Sequence, residues 1–161
     1  IALGTGHIAR LLVELDMTHQ LNRFVIELTE RQALTELGRQ ALQLGRQYGI
    51  RVAVDDFGTG YSGLGQIAGL DLDMLKIDRS LVEPALANRA SARLIRGIVA
   101  LAQALHMHTI AEGVETWEQA FFLKAAGVDC GQGFFWSKAV PAEEVEQLLK
   151  ADFSASLNPQ R

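Results

Sequence analysis

The sequence predicts an α/β fold built on a parallel sheet, and three observations carry that reading. Short apolar runs rich in branched and aromatic residues alternate with amphipathic runs of helical period along most of the 161 residues, the pattern of strands joined by right-handed helical crossovers. Nearly every apolar run delivers an acid, an amide or a lysine at its end, as parallel strands do when their C-terminal ends surround one polar mouth. Hydrophobic residues make up 48% of the chain and prolines number three, which suits one compact domain over 1–161 with a sizeable core.

In chain order, "HIARLLVEL" at 7–15 reads as a helix and "RFVIEL" at 23–28 as a buried strand. The run at 33–49 places Leu34, Leu37, Ala41, Leu44 and Tyr48 on one helical face and stops at Gly49. "IRVAVD" at 50–55 is a second strand, "SGLGQIAGL" at 62–70 a short helix and "MLKID" at 74–78 a third strand. A long amphipathic helix spans 91–107, followed by "HTIAE" at 108–112 as a fourth strand. Thr116 is placed to cap the helix of 116–127, and "DCGQG" at 129–133 ends a fifth strand. Pro141 opens a last helix, and 151–161 read as a frayed tail.

The charge balance limits the partners. A formal net charge of −4 and a pI near 5.5 argue against polymeric nucleic acid and anionic membrane surfaces. A small anion remains open to a site that supplies its own cations. The single Cys130 excludes an internal disulfide framework, and no apolar run reaches the length of a membrane span. No signal peptide opens the chain, so the cytoplasm is the expected compartment, with any membrane anchor of a longer protein upstream.

The strand ends carry the chemistry. Glu27, Asp55, Asp56 and Glu112 supply four carboxylates, Lys76 one cation and Gln132 an amide. Carboxylate oxygens in that number suit hard cations such as Mg2+ or Mn2+, and two such ions a few ångströms apart hydrolyse phosphoesters. Adjacent buried acids such as Asp55 and Asp56 need a cation or a proton between them.

Five ordered stretches, "ELTE" at 27–30, "DDFGTGYSGL" at 55–64, "LKIDRSLV" at 75–82, "AEGVET" at 111–116 and "GQGFFWSKAVPAEE" at 131–144, resemble the EAL-domain family of bacterial cyclic di-GMP phosphodiesterases, over about residues 7–150. The resemblance implies a TIM-like (βα) barrel that opens cyclic di-GMP to linear pGpG with two divalent cations. By matched position it makes Glu27, Asp55, Asp56 and Glu112 metal ligands, Asp55 bridging both ions. It places Lys76 and Glu112 at the reaction, Lys76 beside the attacking water, and Gln132 at the substrate. It assigns Glu30, Gly58, Thr59 and Gly60 to the stability of the loop after Asp56, which leads to an element used for homodimerisation. The family's Glu-Ala-Leu stretch and asparagine segment have no counterpart in the chain. It is therefore expected to be the C-terminal part of such a domain, with about five βα units of the eight a barrel needs, an upstream sensory or cyclase domain, and weak turnover alone.

Blander and rival readings accompany these. Any single acid, Glu115 included, also reads as a helix or loop cap, and His106 and His108 read as structural. Cys130 and the aromatics Phe121, Phe122, Phe134, Phe135 and Trp136 read as packing, and Arg79 and Arg96 as solvated. A non-catalytic cyclic di-GMP receptor or scaffold of the same fold is the alternative function. A barrel aldolase with Lys76 as Schiff base needs a neutral amine, which surrounding carboxylates oppose.

Overall fold

The computed structural model describes residues 14, 16–58, 69–151 and 153. Five strands, β1 (Val25–Thr29), β2 (Arg51–Phe57), β3 (Met74–Ile77), β4 (His108–Ala111) and β5 (Cys130–Gly131), form one parallel sheet in sequence order. This is the expected arrangement of a partial TIM-like barrel sheet. The helices are α1 (Glu30–Ala33), α2 (Glu36–Gln47), α3 (Arg79–Val82), α4 (Arg89–Ala104), α5 (Trp117–Ala126) and α6 (Ala142–Leu149). A 3-10 helix at Thr18–Arg23 precedes β1. Neither it nor the one-turn helices α1 and α3 is marked by an apolar period.

Side-chain alternation sorts the sheet into two faces. Val52, Val54, Leu75 and Ile77 are fully buried and pack with Val82, Ile95, Ile98 and Val114 in the main core. The opposite face carries Glu27, paired with Ala53, then Asp55 two residues on, and Lys76, paired with Ile110. Strands β2 and β3 are covered on both sides, as parallel strands require, so Lys76 is buried within an otherwise apolar strand.

Caps set the helix starts. The Thr29 hydroxyl accepts the Gln32 N–H while the Gln32 side-chain oxygen accepts the Thr29 N–H, a capping box. Thr116 does the same with Gln119, as its position predicts, and Gly127 ends α5 at a φ of 90°. Thr35, Asp78 and Asn88 cap α2, α3 and α4.

Several packing expectations are corrected. Leu37, Leu44 and Tyr48 are exposed, and α2 instead buries the side bearing Gly38, Leu42 and Gly45. The glycines decide it. A Cβ on Gly38 would run into the Gln32 carbonyl, and one on Gly45 would touch Val52 at 3.4 Å, so the helix approaches closely on the face where two glycines flank Leu42. Cys130 is exposed on the last strand. Phe121 and Phe134 are largely exposed, while Phe122, Phe135 and Trp136 do pack against the core. Of the helices expected at 7–15 and 62–70, the tail, and the loop with Thr59, Gly60 and the dimerisation element, residues 1–13, 15, 59–68, 152 and 154–161 lie outside the described residues. Among the described residues no helix is long and apolar enough to cross a membrane.

Candidate active site

Lys76 is the centre of the site. Its Nζ lies 2.7 Å from Glu112 Oε1, 2.8 Å from Glu27 Oε2 and 3.1 Å from Asp55 Oδ1. Each partner comes from a different strand or strand end: Glu27 is in register with Ala53, two residues before Asp55, and Glu112 follows two residues after Ile110, the partner of Lys76. Burial alone would push the ammonium's pKa down, but hydrogen bonds to Glu112, Glu27 and Asp55 outweigh it and hold it well above the ordinary lysine value. Lys76 therefore stays charged at neutral pH. An amine so protonated is no Schiff-base nucleophile, and the aldolase reading fails on this geometry.

The two aspartates are arranged by a bulge. Val54 pairs with Leu75 but Phe57 with Ile77, so β2 spends one extra residue between them. Asp56 takes it up with a left-handed φ of 56°, a conformation Asp adopts more readily than most residues. Its N–H donates to Asp55 Oδ1 at 3.0 Å. The bulge breaks the strict alternation that would send adjacent side chains to opposite faces, a device found beside active sites. Gly58 follows at a φ of 96°, where a Cβ would stand 2.8 Å from Leu81 Cδ1.

The other expected residues fall around this cluster. Glu112 is fixed by its N–H, which donates to the Ile77 carbonyl at 3.0 Å. Gln132 stands beside it, its N–H on the Ala111 carbonyl at 2.8 Å and its own carbonyl accepting from Val114 at 3.1 Å. Glu30 is buried as the first residue of α1. Only the first part of the loop it is expected to steady is described. The structure thus brings Glu27, Asp55, Lys76 and Glu112 together, with Asp56 next along the chain from Asp55, while Glu30 and Gln132 lie around this cluster. One pair the sequence did not mark stands next to the cluster. Arg79, expected to be solvated, meets Glu115 at 2.9 Å, and only its spacing from Lys76 could have pointed to it. Arg96 lies over the Phe122 ring, 5.4 Å from its centroid.

Among the described residues no three acids, histidines or cysteines already form a metal-ligand set. Glu27, Asp55 and Glu112 are drawn onto the ammonium instead. The donor chemistry still fits a hard cation: three carboxylate oxygens converge on a single positive charge, which leaves a net negative cluster, and Asp56 adjoins it.

Fold and site together define a TIM-like parallel α/β protein with a cluster of acids around one lysine at its strand C-termini. The chain belongs to the EAL domain family, whose model matches residues 3–139. It is 35% identical over 150 residues to the cyclic di-GMP phosphodiesterase NbdA of Pseudomonas aeruginosa, covering 93% of this chain and 18% of NbdA. The solved EAL enzyme Bd1971 in its cGMP-bound form superposes with a TM-score of 0.82 at 34% identity, covering 91% of this chain and 38% of that one. A manganese and cyclic di-GMP complex of Klebsiella pneumoniae BlrP1 superposes with a TM-score of 0.74 at 30% identity, covering 83% of this chain and 35% of that one. The chain thus spans about a fifth of NbdA's length.

Proposed function

We propose that this chain carries the site of a metal-dependent cyclic di-GMP phosphodiesterase, with linear pGpG as product. The observation that carries the reading is the buried Lys76 ammonium held by Glu27, Asp55 and Glu112 at the strand ends. It is supported by the family membership, by the activity named for NbdA, and by the manganese and cyclic di-GMP bound in BlrP1.

Glu27, Asp55, Asp56 and Glu112 would hold two divalent cations, Mg2+ or Mn2+, with Asp55 shared between them. When bound, such ions neutralise phosphodiester charge and make water a nucleophile at neutral pH. The chain's own residues do the rest. Water adds to phosphorus as one P–O3′ bond breaks and the leaving O3′ takes up a proton from solvent, so one water is consumed and the ring opens to a 5′-phosphate and a 3′-hydroxyl. Lys76, held as an ammonium by Glu27, Asp55 and Glu112, donates hydrogen bonds, and the water's proton passes to a carboxylate or to solvent. Its N–H groups orient the water and stabilise charge developing on the phosphoryl oxygens. Glu112 fixes the ammonium's position, and Gln132, beside it, contacts the substrate.

Cyclic di-GMP incubated with the purified protein and Mn2+ should yield pGpG on a chromatographic trace, and excess EDTA should abolish it. A second reading, a receptor that binds without cleaving, is favoured by one feature: the carboxylates are closed on Lys76 rather than open to a metal. Saturable binding with no pGpG at any metal concentration would establish it in place of the enzyme. In either case we propose that the chain belongs to a longer cytoplasmic signalling protein with an upstream sensory or cyclase domain, dimerising through the element that follows residues 55–60.

A further inference from the structure

Arg79 and Glu115 make no contact with Lys76, yet they hold the segment that delivers Glu112. Lys76 and Arg79 lie three residues apart across the β3–α3 junction, and Glu112 and Glu115 lie three apart after β4. Lys76 Nζ meets Glu112 at 2.7 Å and Arg79 Nη2 meets Glu115 Oε1 at 2.9 Å. Two ion pairs of equal spacing therefore fasten one connection to the other. Between them the chain turns at Gly113, whose φ of 65° disfavours a side chain. The Arg79 stem lies directly over that turn: a Cβ on Gly113 would overlap Arg79 Cγ and stand 2.8 Å from its Cβ and Cδ. On its other side the segment is tied by the Val114 N–H to the Gln132 carbonyl at 3.1 Å. Glu115 is itself anchored, its N–H donating to Gln119 Oε1 at 2.8 Å at the start of α5.

We propose that Arg79 is a positioning residue for Glu112. Its stem covers the Gly113 turn and its guanidinium pins Glu115, so the Glu112 carboxylate is presented to Lys76 in one place. The alternative partner on its own helix, Glu83 at 3.6 Å, is the weaker contact. The catalytic consequence rests on the proposed phosphodiesterase reading; the clamp on residues 112–115 does not.

The test uses Arg79→Ala, Arg79→Lys and the unaltered protein. Metal-free hydrogen exchange at the amides of Glu112 and Val114 should quicken about three- to fivefold in Arg79→Ala, the scale of a partly exposed ion pair, while β1 and β2 keep their protection. Calorimetric Mn2+ affinity and kcat for cyclic di-GMP should fall at least as far, with KM little changed. Arg79→Lys should recover part of each, having a stem and a point charge but no fork. Unchanged exchange at 112–115, or acceleration spread evenly over the sheet, overturns the clamp. Faster exchange with unchanged kcat in an active protein overturns the positioning role. If the unaltered protein neither binds Mn2+ nor cleaves cyclic di-GMP while Arg79→Ala exchanges faster, the clamp stands and the phosphodiesterase reading falls.

Discussion

Lys76 is placed to act as an internal counter-cation for its own acids. Taking the ammonium away leaves Glu27, Asp55 and Glu112 facing one another with nothing between them, and removing one member of a buried charged group costs several kcal/mol. Lys76→Met should therefore lose about 2–3 kcal/mol, discounted because Glu27 is half exposed. That corresponds to a melting temperature about 5–10 °C lower. Mn2+ should restore more of that temperature than it adds to the unaltered protein, because a divalent ion would replace the missing charge. Thermal denaturation with and without Mn2+ reads both effects; an Mn2+ increment no larger than in the unaltered protein would deny that metal and lysine share these carboxylates. Asp55→Asn tests the bridging role. Its amide keeps the shape but loses the charge, so isothermal titration should show metal affinity reduced at least about tenfold, with hydrolysis abolished. Equal affinity would remove Asp55 from the shared position.

At the level of elements, glycines decide what the apolar pattern leaves open. Strands and long helices are readable because branched residues recur at their periods, as in Val52, Ala53 and Val54 or along α4. The face that α2 buries is not, since Gly38 and Gly45 contribute no hydropathy and act only by letting backbones approach. The acids and the lysine at the strand ends are likewise visible as residue types. Their meeting on Lys76 depends on register between strands, and the bulge at Asp56 has no marker in the sequence. Two substitutions separate the roles of glycine. Gly97 lies within α4 with nothing within 4 Å of a built Cβ, so Gly97→Ala should stabilise the protein by about 0.5–1 kcal/mol. At Gly133 a Cβ would run into the Val114 carbonyl oxygen and amide nitrogen, neither of which can move away cheaply. Gly133→Ala should cost about 1–3 kcal/mol or more and disturb the Glu112 segment along with it. Urea unfolding of both variants checks the opposite signs.

For the whole molecule, the acid limb of stability belongs to two carboxyls at strand ends, Asp129 just ahead of β5 and Asp78 just after β3. Burial pushes the Asp129 carboxyl up, but the Thr109 N–H and hydroxyl, with His108 nearby, outweigh it and leave its pKa below the usual value. The Ser80 hydrogen bonds lower Asp78 against a smaller opposing effect of burial. A carboxyl depressed in the folded state stabilises above its unfolded pKa of about 3.9 and loses that contribution as pH falls through the folded value. The melting temperature should accordingly drop below about pH 4, and Asp129→Asn should show a shallower fall; an identical slope in calorimetric scans from pH 3 to 6 would clear Asp129 of the effect. Lys76 has the opposite sign. Its raised pKa keeps its contribution intact below about 10.4, to be lost only as pH rises through the folded value.

The sequential order of the sheet also sets a timetable. Each strand pairs with the one made just before it, so a chain emerging from the ribosome can add βα units one at a time, without waiting for a distant partner. During that growth β1 and β2 bring Glu27 and Asp55 side by side before the residue that reconciles them has been synthesised. The arrival of β3 offsets one of those two charges, since Lys76 enters between the acids, and its ammonium then offers a contact to Glu112 at the end of β4. A nascent chain halted after β2 would hold two strands with mutually repelling carboxylates, and one halted after β3 would hold the same pair bridged by a single ammonium.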